Sequence, residues 1–219
     1  MKKTILGALT CMATSALCNA ATIQFNFDDN DGVVDFNDFG PGVTVSDFVI
    51  TSGGGTDFLG SSHGGPTDGM ARGGARKAAQ GGITMSFSVT IDAATTIDLT
   101  NLAWENGMDT NGASMTPLWS LAIDNGGTAT PTSGTNADIT AEGFYGENKA
   151  STLTNLTGLT DTTITFTWDL TQEERANSVD IIANTMDDIV LTGTVAVPEP
   201  TTSVLLGLGG LALILRRRK

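Results

Sequence analysis

The sequence predicts an all-β fold, an antiparallel β-sandwich of jelly-roll type, and three observations lead to this prediction. Apolar and polar residues alternate with a period of two along most of the chain, which is typical of strands with one buried face. The stretches between these runs are rich in Gly, Asn, Asp and Pro, the residues that turns require. About eight to ten such runs occur without the strand–helix alternation of a parallel sheet, which favours a two-layer antiparallel domain.

The clearest strands are three runs of strict alternation. Residues 22–27, 84–91 and 163–170 each place large apolar side chains on one face and mainly Thr, Ser, Asn or Gln on the other. Weaker alternation predicts further strands at 43–50, 97–104, 118–124, 137–141, 151–157, 179–183 and 188–196.

Three local signals interrupt this pattern. Leu99 and Leu102 are three residues apart, so the alternation slips between them and predicts a β-bulge near residues 100–101. Asn106-Gly107 predicts a turn. Residues 171–174, Thr-Gln-Glu-Glu, have the pattern of a helix capping box and predict one or two helical turns.

The N-terminus has the pattern of a secretory signal peptide, residues 1–20. Two lysines precede an apolar stretch that ends at Leu17, which predicts a short helix, and cleavage is predicted after Ala20. Both cysteines, Cys11 and Cys18, leave with this segment. The mature domain must therefore be stable without a disulfide.

Residues 21–196 form the predicted sandwich ectodomain, and it is strongly acidic. Of 11 Lys and Arg residues, two lie in the signal peptide and four in the C-terminal tail, which leaves 11 − 6 = 5. Of 24 Asp and Glu residues only Glu199 lies outside, so the domain has 24 − 1 = 23 acids and a net charge of 5 − 23 = −18. Such a domain is not expected to bind nucleic acid.

The tail, residues 197–219, has three parts in a fixed order. Pro198-Glu199-Pro200 comes first, an apolar stretch at 204–215 follows, and four cations end the chain. The apolar stretch predicts a helix of roughly 18 Å, short for a hydrocarbon core of about 30 Å, with its cations on the cytoplasmic side. Hydropathy alone fits both a plain C-terminal membrane anchor and a sorting signal.

This order of parts resembles the PEP-CTERM protein-sorting signal of Gram-negative bacteria. The resemblance implies an exosortase-type membrane protease as partner and cleavage near the Pro-Glu-Pro. It also implies transient anchoring in the inner membrane through the C-terminal helix, followed by transfer to the cell surface or an exopolysaccharide matrix. The sorting and processing residues implied are Pro198, Glu199, Pro200, Arg216, Arg217 and Arg218.

The body also resembles a known type of domain in the order of its motifs. Phe-Asn-Phe-Asp-Asp at 25–29 opens it, Ser-Phe-Ser-Val-Thr at 86–90 and Asp-Leu-Thr-Asn-Leu at 98–102 follow, and residues 186–193 close it. This order is similar to that of the jelly-roll ectodomains that PEP-CTERM proteins often carry, whose architecture is similar to carbohydrate-binding modules and concanavalin-like lectins. The resemblance implies a lectin-like domain that binds extracellular polysaccharide.

An acidic cluster near the start of the body has two interpretations. Carboxylates crowded on a turn at Asp28, Asp29 and Asp31 are what Ca²⁺ prefers. First and last strands often lie side by side in such sandwiches, which would bring Asp187 or Asp188 towards the cluster. A structural Ca²⁺ is one interpretation, and an acidic turn that keeps a sheet edge soluble is the other. No other cofactor is predicted.

The aromatic residues provide one candidate ligand contact. Trp104, Trp119 and Trp168 share the phase of apolar neighbours, which predicts that they belong to the core. Tyr145 lies in a Gly-rich stretch, 142–147, and is the predicted exposed aromatic. The other Gly-rich stretch, 51–82, is predicted to be a long surface loop or a binding loop.

The sequence predicts no catalytic residues. His63 is the only histidine, and a Ser-His-Asp triad would have to be built on the Gly-rich stretch. Acid pairs such as Glu105 and Asp109 can arise by chance in so acidic a chain. The leading hypothesis is therefore a non-catalytic exported surface or matrix protein that binds carbohydrate. The alternatives are a purely structural or adhesive matrix protein and a glycan-active enzyme.

Overall fold

A computed structural model describes the strands of the body and their immediate connections. The described residues are 17–29, 31–51, 56–59, 70–75, 83–110, 115–125, 132–135, 143–174 and 182–197. Every regular element within these residues is a β-strand. The all-β prediction is therefore confirmed.

The described residues contain thirteen strands. They are β1 Leu17–Phe25, β2 Phe36–Asn37, β3 Val43–Val45, β4 Val49–Thr51, β5 Thr56–Leu59, β6 Met70–Ala75, β7 Ile83–Ile91, β8 Thr96–Thr110, β9 Met115–Asp124, β10 Thr132–Thr135, β11 Gly143–Thr152, β12 Thr162–Glu174 and β13 Ile182–Val197.

The strands form two sheets. In the seven-stranded sheet the order is β11-β8-β13-β1-β2, with β6 beside β13 and β5 beside β6. In the six-stranded sheet the order is β10-β9-β12-β7-β3, and β4 also pairs with β7. The first and last strands, β1 and β13, are neighbours, as the sequence predicted.

The chain divides into two compact units. One is Ala20–Val195, and the other combines Met1–Asn19 with Ala196–Lys219. Apart from the outer ends of β1 and β13, both sheets belong to the first unit.

The inner faces of the two sheets share one hydrophobic core. Phe25 of β1 packs against Phe87 of β7, with ring centroids 5.0 Å apart, and Phe87 stacks on Phe166 of β12 at 5.0 Å. Trp104 of β8 meets Trp168 of β12 edge to face at 5.8 Å. Contacts between large buried rings of opposite sheets are what a β-sandwich requires.

The outer face of the six-stranded sheet bears a ladder of hydroxyl groups. Cross-strand hydrogen bonds join Ser88 to Thr165 at 2.8 Å and Thr90 to Thr163 at 3.0 Å. Each of these residues lies next to a buried apolar neighbour, so the alternation read from the sequence places them on the wet face. The pairs link β7 to β12 on the side away from the core.

The phase slip in β8 has the predicted effect. Leu99 and Leu102 are both completely buried although they are three residues apart. A regular strand would turn one of the two towards solvent, so the backbone must change phase between them.

Two predictions about local structure are wrong. Residues 171–174 are not helical but continue β12, because their extended backbone pairs with residues 115–118 of β9. Asn106-Gly107 is not a turn but lies inside β8, opposite the Glu147 and Gly146 positions of β11. In both cases pairing with a distant strand overrides a local signal.

Parts of the two Gly-rich stretches, 51–82 and 142–147, are strands. The Gly-rich stretch 51–82 contributes β5 and β6 to the seven-stranded sheet, and β6 pairs with β13. Residues 143–147 belong to β11. Glycine weakens the interior of a strand, and backbone hydrogen bonds to the neighbouring strands offset this loss.

The two predicted helices fall almost wholly outside the described residues. Residues 17–20, the described end of the predicted signal peptide, are not helical but continue the extended backbone of β1 in this unprocessed chain. The predicted C-terminal helix lies beyond residue 197, outside the described residues. In the described part of the chain, no helix is long and apolar enough to cross a membrane.

Candidate ligand-binding face

The outer face of the seven-stranded sheet begins, at its β2 side, with an exposed aromatic ring. Ile23 and Phe25 of β1 are fully buried, so Gln24 between them points to the outer side of the sheet. Phe36 of β2 lies directly opposite Gln24, and opposite residues share a face. Phe36 is 49% exposed, a high value for so large an apolar side chain.

The same face carries a carboxyl group and an amide at its β8 and β11 side. Trp104 and Asn106 of β8 are both only 1% exposed on the inner side, so Glu105 between them points outwards. Asn148 of the edge strand β11 is exposed and lies opposite Glu105. The pair therefore presents a carboxyl and an amide to the same region of solvent.

A change of phase in β13 brings a second carboxyl to this face. Met186 and Ile189 are both buried although three residues apart, and Asp188 between them has a φ of 46°. The amide of Asp188 donates to Oδ1 of Asp187 at 2.7 Å, which holds this local conformation. Asp188 is exposed, whereas Asp187 is buried. A positive φ is uncommon outside glycine but least costly for Asp and Asn.

Glu105 and Asp188 lie close enough to influence each other. The pKa of Glu105 is raised above its usual value of 4.5. Partial burial is the larger cause, and the negative charge of Asp188 is the smaller one. The half-buried Glu105 carboxylate is therefore less stable when charged than it would be in water.

Replacing Glu105 with glutamine is expected to stabilise the fold at neutral pH. Folding raises the pKa of Glu105 above its usual value of 4.5. The charged carboxylate therefore does not lower stability below pH 4.5, and its destabilising effect develops as the pH rises through the pKa in the folded state. Urea denaturation should give a higher free energy of unfolding for Glu105→Gln at neutral pH and no difference well below pH 4.5. Equal stabilities at neutral pH would contradict the assigned environment of Glu105.

We call Gln24, Phe36, Glu105, Asn148 and Asp188 the outer polar face. The five residues come from five strands that lie side by side, β2, β1, β13, β8 and β11. Carboxylates and amides exchange hydrogen bonds with hydroxyl groups, and an exposed ring provides a flat apolar surface for stacking. Together they fit a ligand that is rich in hydroxyl groups and has apolar faces, such as a sugar chain.

The edge of the same sheet has a different character. Lys149 of β11 lies opposite the buried Trp104 and therefore on the inner side, where its Nζ is 2.7 Å from Oε2 of Glu147. Charged side chains that point inwards from an edge strand discourage pairing with another chain. This ion pair is better explained as protection of the edge than as a binding site.

The acidic residues predicted to bind Ca²⁺ lie just after β1 and within β13, which are neighbouring strands. Asp28 is half-buried just after β1, Asp29 and Asp31 are exposed, and Oδ1 of Asp31 accepts a hydrogen bond from the amide of Val33 at 3.0 Å. Asp187 and Asp188 lie in β13, the neighbour of β1. No three His, Cys, Asp or Glu residues in the described ranges are grouped so as to hold a metal ion. The calcium site remains a prediction.

The aromatic predictions have mixed outcomes. Trp104 and Trp168 are core residues, as predicted, with exposures of 1% and 0%. Trp119 is partly buried and packs edge to face on Trp104 at 5.1 Å. Tyr145 lies in β11, opposite Met108, and its side chain is outside what the structure describes, so its predicted exposure stays a prediction.

Of the residues predicted to take part in processing, only Ala20 lies in the described part of the chain. Ala20 is exposed in β1. Pro198, Glu199, Pro200 and the three arginines of the tail lie outside the described residues.

Sequence reasoning missed the outer polar face. Glu105 and Asp188 are far apart in the chain, and only the neighbouring positions of β8 and β13 bring them together. Phe36 could have been noticed, because it is a single large apolar residue in the acidic run Asp35-Phe36-Asn37-Asp38.

Comparison with known proteins identifies the C-terminal segment. Residues 196–219 match the family model of the PEP-CTERM protein-sorting motif. The predicted sorting signal is therefore confirmed, and it implies an exported protein. No curated protein matches the chain.

Several solved structures resemble the chain at low identity. The first is the N-terminal part of Clostridium thermocellum endo-1,4-β-D-xylanase 10B, containing CBM22-1 and GH10 modules, in complex with xylohexaose. It is 12% identical, with 80% of this chain and 28% of that chain covered and a TM-score of 0.36. This chain thus spans little more than a quarter of that structure.

Two smaller structures are covered almost completely. TmCBM61 in complex with β-1,4-galactotriose is 14% identical, with 76% of this chain and 92% of that chain covered and a TM-score of 0.32. The family 11 carbohydrate-binding module of C. thermocellum, in complex with a β-1,3-1,4-mixed-linked tetrasaccharide, is 10% identical, with 82% and 91% covered and a TM-score of 0.26. Similarity at this level does not transfer a ligand or a site to this chain.

Proposed function

We propose that this protein is an exported, non-catalytic, glycan-binding protein, a jelly-roll domain whose outer polar face binds extracellular polysaccharide. The observation that supports glycan binding is the exposed ring of Phe36 on the same sheet face as Glu105 and Asp188. The ring of Phe36 and the carboxyl of Asp188 are not needed for the core, since both are turned to solvent.

The proposed route follows from the two ends of the chain. The signal peptide is removed after Ala20, and the C-terminal helix then holds the domain transiently in the inner membrane. An exosortase-type protease cuts near Pro198-Glu199-Pro200, and the domain passes to the cell surface or the matrix. β13 ends at Val197, so the proposed cleavage region begins where the strand ends. Mass spectrometry of the C-terminus tests this route, and a retained Arg216–Arg218 cluster in the mature protein contradicts it.

Phe36→Ala is expected to weaken binding to polysaccharide about tenfold, since stacking on an aromatic ring contributes on the order of 1 kcal/mol or more. Affinity electrophoresis of the full chain against a panel of soluble polysaccharides measures the loss. Val49→Ala removes an apolar side chain that is 53% exposed on the other sheet, and it serves as the matched control. Equal mobility shifts for Phe36→Ala and the unmodified chain would show that this face is not the site.

A second candidate function uses the same two carboxyls. Glycoside hydrolysis uses two carboxyl groups at the scissile bond, one of which acts as the acid, and burial that raises the pKa of Glu105 favours the acid role for this residue, with the exposed Asp188 as the second carboxyl. Incubation with oligosaccharides and chromatography of the products separates the candidates. Hydrolysis that Glu105→Gln abolishes would favour the enzyme, and binding without turnover favours the non-catalytic protein. A purely structural matrix protein would show neither.

A further inference from the structure

We propose that the outer polar face selects polysaccharides that carry protonated amino groups, such as polymers of unacetylated amino sugars, over neutral and anionic ones. This inference rests on glycan binding by that face and adds the charge of the ligand. It is carried by the placement of two carboxyls and one aromatic ring on a single sheet surface.

The outer polar face has a negative local charge. Glu105 and Asp188 are near enough for their charges to interact, and the effect on Glu105 is that of a negative neighbour. Lys149 is the one basic side chain that the structure describes, and it lies on the inner side of the sheet, paired with Glu147. Arg72, the other basic residue in the described strands of this sheet, follows the buried Ala71 and takes a position on the outer side, directly opposite the acidic Asp57 of β5 and Thr185 of β13.

A cationic ligand would gain more binding energy at this face than a neutral one. A neutral hydroxyl can donate a hydrogen bond to either carboxylate but leaves their mutual repulsion unchanged. An ammonium group placed between them offsets that repulsion and forms charge-assisted hydrogen bonds, which are the stronger kind. Glu105 is partly buried, so water screens this attraction less than it would at a fully exposed pair.

The exposed ring of Phe36 and the net charge of the whole domain favour the same kind of ligand. An exposed aromatic face attracts a cation as well as the apolar face of a sugar, so Phe36 suits an amino sugar on both counts. The net charge of residues 21–196, 5 − 23 = −18, repels polyanions and attracts polycations at long range. Uronate-containing or sulfated chains are therefore unfavourable ligands.

The test compares two oligomers that differ in charge and acetylation. Isothermal titration of the full chain with glucosamine hexamer and with N-acetylglucosamine hexamer, at neutral pH, should show at least about tenfold tighter binding of glucosamine hexamer, a difference typical of one lost charged contact. The double variant Glu105→Gln/Asp188→Asn should lose this preference. Asp169→Asn removes an exposed carboxylate from the outer face of the other sheet, where it accepts a hydrogen bond from Thr84, and should keep the preference.

Each outcome has a defined meaning. Equal binding of both oligomers by the unmodified chain overturns the charge selectivity while leaving the proposed glycan binding standing. Failure to bind any glycan overturns the proposed function itself and this inference with it. Lysine hexamer that binds as tightly as glucosamine hexamer, with Phe36→Ala having no effect on either, would show general attraction of polycations and would also overturn the proposal. Glu105→Gln is expected to stabilise the fold and asparagine tolerates the positive φ at position 188, so unfolding of the double variant does not confuse the result.

Discussion

Replacing Phe87 with alanine is expected to lower the free energy of unfolding by about 4 kcal/mol. Phe87 is 1% exposed and lies at the centre of the aromatic core. Its ring contacts those of Phe25, Phe48, Phe166 and Trp168 at centroid distances of 5.0, 6.4, 5.0 and 6.0 Å. Alanine would leave a cavity bordered by both sheets, which rigid strands cannot easily close.

Guanidinium denaturation followed by tryptophan fluorescence measures this loss. Phe36→Ala is the matched control, because the same chemical change is made at a ring that is 49% exposed. It should change the free energy of unfolding by less than about 0.5 kcal/mol, the usual range for surface substitutions. A loss below about 1 kcal/mol for Phe87→Ala would show that the two sheets do not share one core.

Gly193→Ala is expected to destabilise the fold by about 3 kcal/mol or to prevent folding altogether. A Cβ at Gly193 would overlap the backbone carbonyl oxygen of Asp98 in β8 and press against the ring of Phe39 at 3.1 Å. The obstructing atom is backbone, so relief requires moving β8 away from β13 rather than rotating a side chain. The hydrogen bonds between these two strands would then lengthen.

The control for this second prediction is Thr194→Ala, one residue further along the same strand. Thr194 is half-buried, and its change to alanine adds no atom to the junction with β8. Thermal unfolding should show a large fall in Tm for Gly193→Ala and a small one for Thr194→Ala. If Gly193→Ala unfolds at the temperature of the unmodified chain, β13 and β8 are not as close as the geometry states.

The sequence alone predicts the features that depend on the alternation of buried and exposed residues within a single strand. Alternation places Ile164, Phe166, Trp168 and Leu170 on the buried side of β12, and all four have exposures of 1% or less. The phase slip at Leu99 and Leu102 was predicted for the same reason. A buried face imposes its period directly on the residues of the strand, so it can be read without knowing the neighbouring strand.

Features that depend on strand pairing could not be read in this way. Nothing near Glu105 in the chain indicates that Asp188 lies beside it, since β8 and β13 are separated by four other strands in the sequence. No strand was predicted around Tyr145, which lies in a Gly-rich stretch, yet its backbone pairs with β8. An edge strand needs only one neighbour and one partly buried face, so its own pattern is weak.

The position of β13 has a consequence for how the protein is made. This strand is the last in the described part of the chain, yet it lies between β8 and β1 in its sheet. The seven-stranded sheet therefore cannot close until synthesis and transport of the body are nearly complete. Pairing of such distant segments is slow, because the chain loses entropy on closing the long loops before the contacts that offset this loss can form. In an exported protein, this topology delays folding of the body until its final strand has been made.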